Sequence, residues 1–361
     1  MRNMKCIMVN RRQMRQIIFI CLFVAFIFID KPVDAQDYRD QVLTKPLVIK
    51  GSHITVKNVT IRYSGKAAPL TITESNDVKL ENVKIIGSNA ANGIHIDYAS
   101  NIKLNNVTIS KAKDGIYLEH VDKIQMNHIR STGNRYGVHF MYVTDGELTH
   151  SKVNDNITGI MLMVSDNITL SQNTIDEQLA LNATGMTLYN STGVKLNNNT
   201  FHKNSTALSV QGMKRSEVTS NTFENNLTAL EIYESDIPIQ HNQFRNNITI
   251  ANVDQQQPKF AYNIYDDPSI MDMNGDGIGD QPKRFSNLLG ETMVKDSTLN
   301  FFQNGPLHII LQWIENKSMT LETGYQDMHP KVIKRQLQFN MGWPISIITI
   351  FLVMLFIRRT R

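Results

Sequence analysis

Cysteine is nearly absent from this chain, and the chain has almost as many acidic as basic residues. Both cysteines, Cys6 and Cys21, lie within the first 21 residues, so removal of an N-terminal segment would leave no disulfide and no thiolate metal site. The formal net charge of +4 over 361 residues is too small to indicate a nucleic-acid partner, and no DNA- or RNA-binding motif is present. Residues 93–253 also lack an apolar pattern of helical period, which argues against a repeat that contains a helix, such as a leucine-rich repeat.

What the chain does contain is a repeat of 22 residues. A small residue followed by an alternating apolar segment recurs with steps of 22, 22, 22, 26, 22, 22 and 22 residues. The segments begin at Gly93, Gly115, Gly137, Gly159, Gly185, Ala207, Ala229 and Ala251. Self-similarity at a fixed period of this length is typical of a solenoid. The single step of 26 predicts a four-residue insertion in one turn, between Glu177 and Ala183.

The alternation within each unit has a period of two, which indicates strands. Three short strands and three corners per unit predict an all-β fold, a right-handed parallel β-helix of roughly nine coils. Asparagines predicted at the corners, as at 197–199 and 225–226, tolerate left-handed backbone conformations. The Asn-X-Thr triplets match the N-glycosylation pattern but are interpreted as a corner asparagine followed by a strand threonine.

Hydrophobic segments at both ends predict export and anchoring. Residues 1–35 contain basic residues, then an apolar run at 17–29, then small residues. This order is typical of a signal peptide, with cleavage expected after Ala35; an uncleaved anchor is the alternative. Residues 339–357 form an apolar helix of about 28 Å, close to the ~30 Å hydrocarbon core, with a buried core helix as the alternative. Arg358 and Arg359 follow this segment and predict a cytoplasmic tail, with the repeat on the outer face of the cytoplasmic membrane.

These boundaries divide the chain into six parts. They are the signal peptide (1–35), the β-helix (36–257), a cap with a helix (258–317), a polar tether (318–338), the transmembrane helix (339–357) and a cytoplasmic tail (358–361).

The strand phase points His139, Met141, Met161 and Met163 outward on two successive turns. Neighbouring strands lie about 4.8 Å apart, and residues two apart on one strand lie about 6.6 Å apart, so these four side chains are able to converge. An imidazole with thioethers is a soft ligand set that suits Cu(I). The alternative is a methionine-rich patch that a loop, a neighbouring chain or a docking partner covers.

A loop after the repeat has the ligand spacing of a calcium loop. Oxygen donors occupy loop positions 1, 3, 5 and 9, and Gly277 occupies position 6. Position 12 is Lys283, where an EF-hand has glutamate, so calcium is predicted without an EF-hand fold; a turn that closes the rod is the alternative. The four candidate ligands are Asp272, Asn274, Asp276 and Asp280.

The chain resembles the NosD family of accessory proteins for nitrous oxide reductase maturation. The resemblance covers most of residues 40–285 and lies in the repeats, in residues 136–142 (YGVHFMY) followed by 159–163 (GIMLM), and in the loop at 272–280. It implies an extracytoplasmic protein, not an enzyme, that works with an ABC transporter (ATPase and membrane subunits) and a copper-donating lipoprotein. Together they would supply copper and sulfur for the copper-sulfide centre of the reductase. The C-terminal anchor is a departure from soluble members of the family.

Polysaccharide chemistry is the competing hypothesis. Parallel β-helices that bind or cleave polysaccharides use acidic clusters on an outer face, and Asp97 and Glu119 point outward at equivalent positions of adjacent turns. No dense acidic cluster and no arginine accompany them in the sequence. A plain surface scaffold or adhesin is the third alternative.

Overall fold

The computed structural model describes residues 37–180, 182–254, 258–285, 305–306, 310 and 325–332. They form an all-β, right-handed-type parallel β-solenoid of about ten turns. Among these residues, no helix is long and apolar enough to span a membrane. The predicted signal peptide and transmembrane helix lie outside the described residues, as does almost all of the helix predicted at 305–317.

Within the described ranges, twenty-three strands form the solenoid, and two further strands form a separate antiparallel pair. In chain order they are β1 (Asp37–Leu43), β2 (Leu47–Arg62), β3 (Leu70–Ile86), β4 (Ile94–Ser110), β5 (Asp114–Thr132), β6 (Tyr136–Met141), β7 (Thr144–Thr149), β8 (Lys152–Asn154), β9 (Thr158–Met163), β10 (Asp166–Ser171), β11 (Thr174–Asp176), β12 (Thr184–Tyr189), β13 (Lys195–Asn197), β14 (Thr200–His202), β15 (Thr206–Gln211), β16 (Glu217–Thr219), β17 (Thr222–Glu224), β18 (Thr228–Tyr233), β19 (Pro238–Gln240), β20 (Gln243–Arg245), β21 (Thr249–Val253), β22 (Lys259–Ala261), β23 (Ile264–Tyr265), β24 (Lys283–Phe285) and β25 (Tyr325–Asp327).

Each strand pairs in parallel with the equivalent strand one turn later. From β6 onward every turn has three separate strands, as predicted, whereas in β2 to β5 the strand continues through the corners. Leu47 pairs with Leu70, and Leu70 with Ile94. These two longer steps precede the regular 22-residue repeat. Because the paired strands run from Asp37 to Tyr265, the solenoid has about ten turns where the sequence predicted nine.

The predicted strand phase is confirmed by burial. The first and third residues after each small residue face the interior: Ile94, Ile96, Val138 and Phe140 have no exposed surface. The backbone of the next turn passes close to the small residue. A Cβ at Gly137 would press against the Gly159 carbonyl oxygen and the Val153 side chain. A one-residue shift in strand register is disfavoured because it would turn the outward-facing polar side chains into the interior.

A regular turn has four left-handed backbone positions, where three corners were predicted. In the turn that follows Gly93 these are Tyr98, Asn101, Asn106 and Lys111, with φ between 47° and 58°. Asparagine tolerates this conformation, but tyrosine and lysine carry no turn signature. Sequence patterns that rely on asparagine and glycine therefore miss a corner.

Many asparagines lie inside the solenoid, in two ladders that run along its axis. One ladder holds Asn173, Asn199, Asn221, Asn242 and Asn263, and the other holds Asn134, Asn156, Gln178, Asn204, Asn226 and Asn247. Each side-chain oxygen accepts hydrogen bonds from the main-chain and side-chain N–H groups of the preceding member, with few exceptions. Such ladders satisfy backbone groups that the corners leave unpaired. Asn156, Asn204 and Asn226 begin Asn-X-Thr triplets, and their burial removes them as glycan acceptors.

The four-residue insertion lies within the predicted interval, between Gln178 and Ala183. The second ladder continues through Gln178, and Ala183 N–H donates to the Ala180 carbonyl in a turn. Thr184 then pairs with Thr158, so the strand register is restored. The insertion therefore projects from one corner without disturbing the columns on either side.

The columns continue beyond residue 257 into the cap. Strands β22 and β23 pair with β19 and β20. Asp327 takes the next place in the first asparagine ladder, where one oxygen accepts hydrogen bonds from the main-chain N–H, the side-chain amide of Asn263 and the Tyr265 hydroxyl, at 3.0 Å each. Burial first, and then the neighbouring Asp327, raise the pKa of Tyr265 well above its ordinary value.

Candidate metal centre

The predicted soft ligands lie on adjacent strands in one register. His139 of β6 is opposite Met161 of β9, and Met141 is opposite Met163. We call these four residues the His/Met face. The three methionines are partly buried, but His139 is only 7% exposed, so the expectation that all four point into solvent is wrong for the histidine.

Two tyrosine rings account for this burial. The rings of Tyr117 and Tyr136 each lie 5.0 Å from the His139 ring, at interplanar angles of 71° and 85°. Tyr117 belongs to the preceding turn, directly opposite His139. Edge-to-face contacts of this kind fix the position of a ring. The imidazole is therefore held between two aromatic walls.

The two nitrogens of His139 have different surroundings. Nδ1 lies 3.1 Å from Oδ2 of Asp114, whereas Nε2 is buried and has no hydrogen-bond partner among the described residues. An ionised carboxylate only accepts hydrogen bonds, so Nδ1 is the protonated nitrogen in the neutral ring and Nε2 carries a free lone pair. A buried acceptor without a partner is unfavourable, and a metal ion would satisfy it.

Asp114 is held on its other side by an arginine. Arg135 Nε and Nη2 lie 2.9 Å from the two carboxylate oxygens of Asp114, which is 1% exposed. Burial raises the pKa of this carboxyl, but hydrogen bonds from His139 and Arg135 outweigh burial and leave the pKa below its ordinary value. The guanidinium also lies 4.3 Å from the centre of the Tyr136 ring. Bidentate pairs of this kind are strong and directional.

One methionine has a hydrogen-bond donor from the turn before it. The Tyr117 hydroxyl lies 3.5 Å from Met141 Sδ and donates to it. Burial first, and then the neighbouring Glu119, raise the pKa of Tyr117 to about 12. Tyr117 therefore stays a neutral donor at physiological pH.

The donor types on the His/Met face fit a soft monovalent ion. An unpaired imidazole nitrogen with three thioethers in register suits Cu(I). In the part of the chain that the structure describes, no group of three or more His, Cys, Asp or Glu side chains could hold a metal ion. A metal centre on this face would therefore depend on the methionine sulfurs.

Three supporting residues were missed in the sequence. Asp114, Arg135 and Tyr136 occupy the corner just before the small residues Gly115 and Gly137. In later turns threonine recurs in the column of Asp114, as at Thr158 and Thr206. An acidic residue in a column otherwise rich in threonine is the signal that could have singled out Asp114.

The acidic pair of the competing hypothesis is also in register. Asp97 is opposite Glu119 on adjacent turns, as predicted. One Asp97 oxygen is buried, and no residue in the described part of the chain forms a hydrogen bond with it. The described residues supply no arginine ion pair to either carboxylate, and nothing else at this pair indicates sugar chemistry.

In the predicted calcium loop, backbone N–H groups donate to the carboxylates. Gly275 and Gly277 donate to the two oxygens of Asp272, and Met273 donates to Asp280. Asn274 and Asp276 accept similar bonds within the loop. These contacts are those of a turn, and calcium binding stays a prediction.

Comparison with known proteins identifies one family. The model of the NosD family, described as periplasmic copper-binding proteins, matches residues 71–275, more than half of the chain. No curated protein sequence matches significantly.

The solved structures that match this chain are only distantly similar to it in sequence and in structure. The enzymatically active domain of bacteriophage CBA120 tailspike protein 2 matches with a TM-score of 0.45 and 11% identity, over 64% of this chain and 48% of that one. The A-module of Azotobacter vinelandii mannuronan C-5 epimerase AlgE6 matches with a TM-score of 0.47 and 12% identity, over 64% and 74%. The Streptococcus pneumoniae surface adhesin PfbA matches with a TM-score of 0.37 and 12% identity, over 63% and 81%. The chain spans about half the length of the tailspike domain, and likeness at this level carries no argument about function.

Proposed function

Because the chain belongs to the NosD family of periplasmic copper-binding proteins, we propose that it handles Cu(I) for the maturation of nitrous oxide reductase. The ion is cargo, bound by the His/Met face and passed on towards the copper-sulfide centre of the reductase. The observation that carries this proposal is the buried, unpaired Nε2 of His139 in a strand register directly opposite Met161.

The chemistry of the face suits a carrier. His139 in its neutral form and the three thioethers bring no charge, so a bound Cu(I) keeps its single positive charge. Thioether sulfur selects Cu(I) over harder divalent ions. Because the methionines are only partly buried, the ion would be accessible to a partner that delivers or removes it.

The proposed partners follow from family membership. They are an ABC transporter with its ATPase and membrane subunits, a copper-donating lipoprotein and the reductase itself. The protein would work outside the cytoplasm, at the outer face of the cytoplasmic membrane, held there by the apolar segment predicted at 339–357. Family membership suggests sulfur as a second cargo, but no described residue on the His/Met face is suited to bind sulfur covalently.

The direct test is a Cu(I) competition titration of the full-length chain against a chromophoric chelator. We expect one tight Cu(I) site in the wild type, and loss of that site when His139, Met141, Met161 and Met163 are all changed to serine. The matched control changes His128, Met271, Met273 and Met328 to serine, since these side chains lie away from the face and all three methionines are well exposed. Equal Cu(I) affinity of the wild type and the quadruple variant would contradict the assignment of copper to this face.

A second prediction concerns maturation in cells. Cells that carry the quadruple serine variant in place of the wild-type gene are expected to make reductase that lacks its copper-sulfide centre and does not reduce nitrous oxide. A Met141→Leu, Met161→Leu, Met163→Leu variant keeps the apolar surface but removes the sulfur donors. We expect it to fail as well, because leucine is close in volume to methionine but does not bind Cu(I).

The two variants separate copper binding from docking. Normal maturation with the leucine variant and failure with the serine variant would show that the face is an apolar docking surface. Normal reductase from both variants would mean that the face has no part in maturation.

A further inference from the structure

The pair of Asp114 and Arg135 has a role that neither the ligand set nor the fold explains. Burial of the Asp114 carboxylate costs desolvation energy, and its ion pair with the partly exposed Arg135 is weak evidence for stability. Asp114 is the first residue of β5, and Arg135 lies in the corner before β6. Later turns have threonine at the position equivalent to Asp114. Later turns therefore form the same corner without a charged pair.

We propose that Asp114 is a positioning residue for the copper site, which fixes His139 as the Nδ1–H tautomer so that the Nε2 lone pair faces the metal. This inference rests on the proposed function, because it concerns the same site. A metal-binding histidine usually donates its second ring N–H to a carboxylate or carbonyl, and this contact sets the tautomer and the ring orientation. The Asp114–His139 contact of 3.1 Å has that arrangement.

Arg135 fixes the carboxylate in turn. Its two contacts of 2.9 Å take up both oxygens of Asp114, so the carboxylate cannot rotate away from the imidazole without breaking them. The guanidinium balances the carboxylate charge, and the pair adds no net charge beside the cargo. With the rings of Tyr117 and Tyr136 on its flanks, His139 has its ring plane, tautomer and free nitrogen all determined by the protein.

The chain offers a matched comparison in another strand column of the solenoid. Asp176 Oδ1 lies 2.9 Å from His202 Nδ1, which is the same kind of contact. His202 lies on β14, with Asp176 and Glu224 as its register neighbours in the adjacent turns, so no methionine is next to it in this column. Asp176→Asn therefore removes a carboxylate–histidine hydrogen bond without touching the His/Met face.

The test uses the copper-free full-length chain with ring-¹⁵N-labelled histidine at pH 8, where neutral imidazole tautomers are distinguished by their nitrogen shifts. We expect His139 to be the Nδ1–H tautomer in the wild type, with its signals assigned by their loss in His139→Ser. In Asp114→Asn the amide can donate to Nδ1, so we expect the Nε2–H tautomer. Cu(I) affinity should then fall about 10- to 100-fold, whereas Asp176→Asn should leave it unchanged.

Two results would overturn the inference: an Nε2–H tautomer of His139 in the wild type, or wild-type Cu(I) affinity in a folded Asp114→Asn variant. If that variant does not fold, the wild-type tautomer decides the matter alone. A wild type that binds no Cu(I) but holds His139 as Nδ1–H would contradict the proposed function and not the tautomer assignment.

Discussion

Replacement of Asn199 by alanine is expected to destabilise the β-helix by about 4 kcal/mol. Asn199 Oδ1 accepts hydrogen bonds from the main-chain and side-chain N–H groups of Asn173, at 3.0 and 3.1 Å. Its Nδ2 donates to the Leu170 carbonyl and to Asn221 Oδ1, at 2.8 and 3.0 Å. Alanine leaves several of these buried groups without partners, and each such group costs about 1–3 kcal/mol. Urea unfolding followed by far-ultraviolet circular dichroism measures the loss.

The neighbouring residue is the control. Asn198 is exposed, with a left-handed φ of 55°, so Asn198→Ala should cost only the conformational strain of about 1–2 kcal/mol. Equal losses from the two substitutions would show that the buried ladder contributes no more than a corner does.

Replacement of Phe223 by alanine is expected to cost about 3–5 kcal/mol. The Phe223 ring has no exposed surface and lies between Phe201 and Phe244, at centroid distances of 4.8 and 5.1 Å with nearly parallel planes. Alanine would leave a cavity inside the solenoid, because the strands above and below are fixed by their pairing and cannot close it.

Phe223→Leu serves as the comparison, since it refills much of the volume and should recover more than half of the lost stability. The same denaturation experiment measures both variants. A loss below 1 kcal/mol for alanine would mean that the adjacent turns collapse into the space, contrary to the rigidity expected of in-register pairing.

The sequence predicted the repeat and its phase because period-two alternation translates directly into burial. Ile94 and Ile96, where the regular repeat begins, and Ile160 and Leu162 three turns later all face the interior. The insertion was also predictable, since a single step of 26 interrupts a series of 22. These features depend only on spacing along the chain.

Contacts between turns were harder to predict. Asn198 and Asn199 are identical in type and adjacent, yet one forms an exposed corner and the other belongs to the buried ladder. Only the position relative to the turns above and below separates them. The left-handed corner at Tyr98 was likewise hidden, because the geometry of its column and not its residue type determines the conformation.

Contacts between turns at the candidate centre were equally hard to predict. The face and its register were predictable from alternation, and His139 and Met161 are paired as expected. The burial of His139 was not, because it arises from Tyr117 on another turn and from Tyr136 at the strand start. Asp114 reaches the imidazole from 25 residues earlier in the chain, a separation at which no local pattern connects the two.

The place of Asp327 in the asparagine ladder sets an order of assembly. Asn263 and Asp327 are 64 residues apart, and closing a loop of that length costs roughly 4 kcal/mol of chain entropy. Earlier turns each close after about 22 residues, at lower entropic cost. During synthesis and export, the end of the rod at β22 and β23 would remain an open edge until residue 327 has emerged. An open edge is a template for pairing with another chain, so a chain truncated before this segment should be the form most prone to end-to-end aggregation.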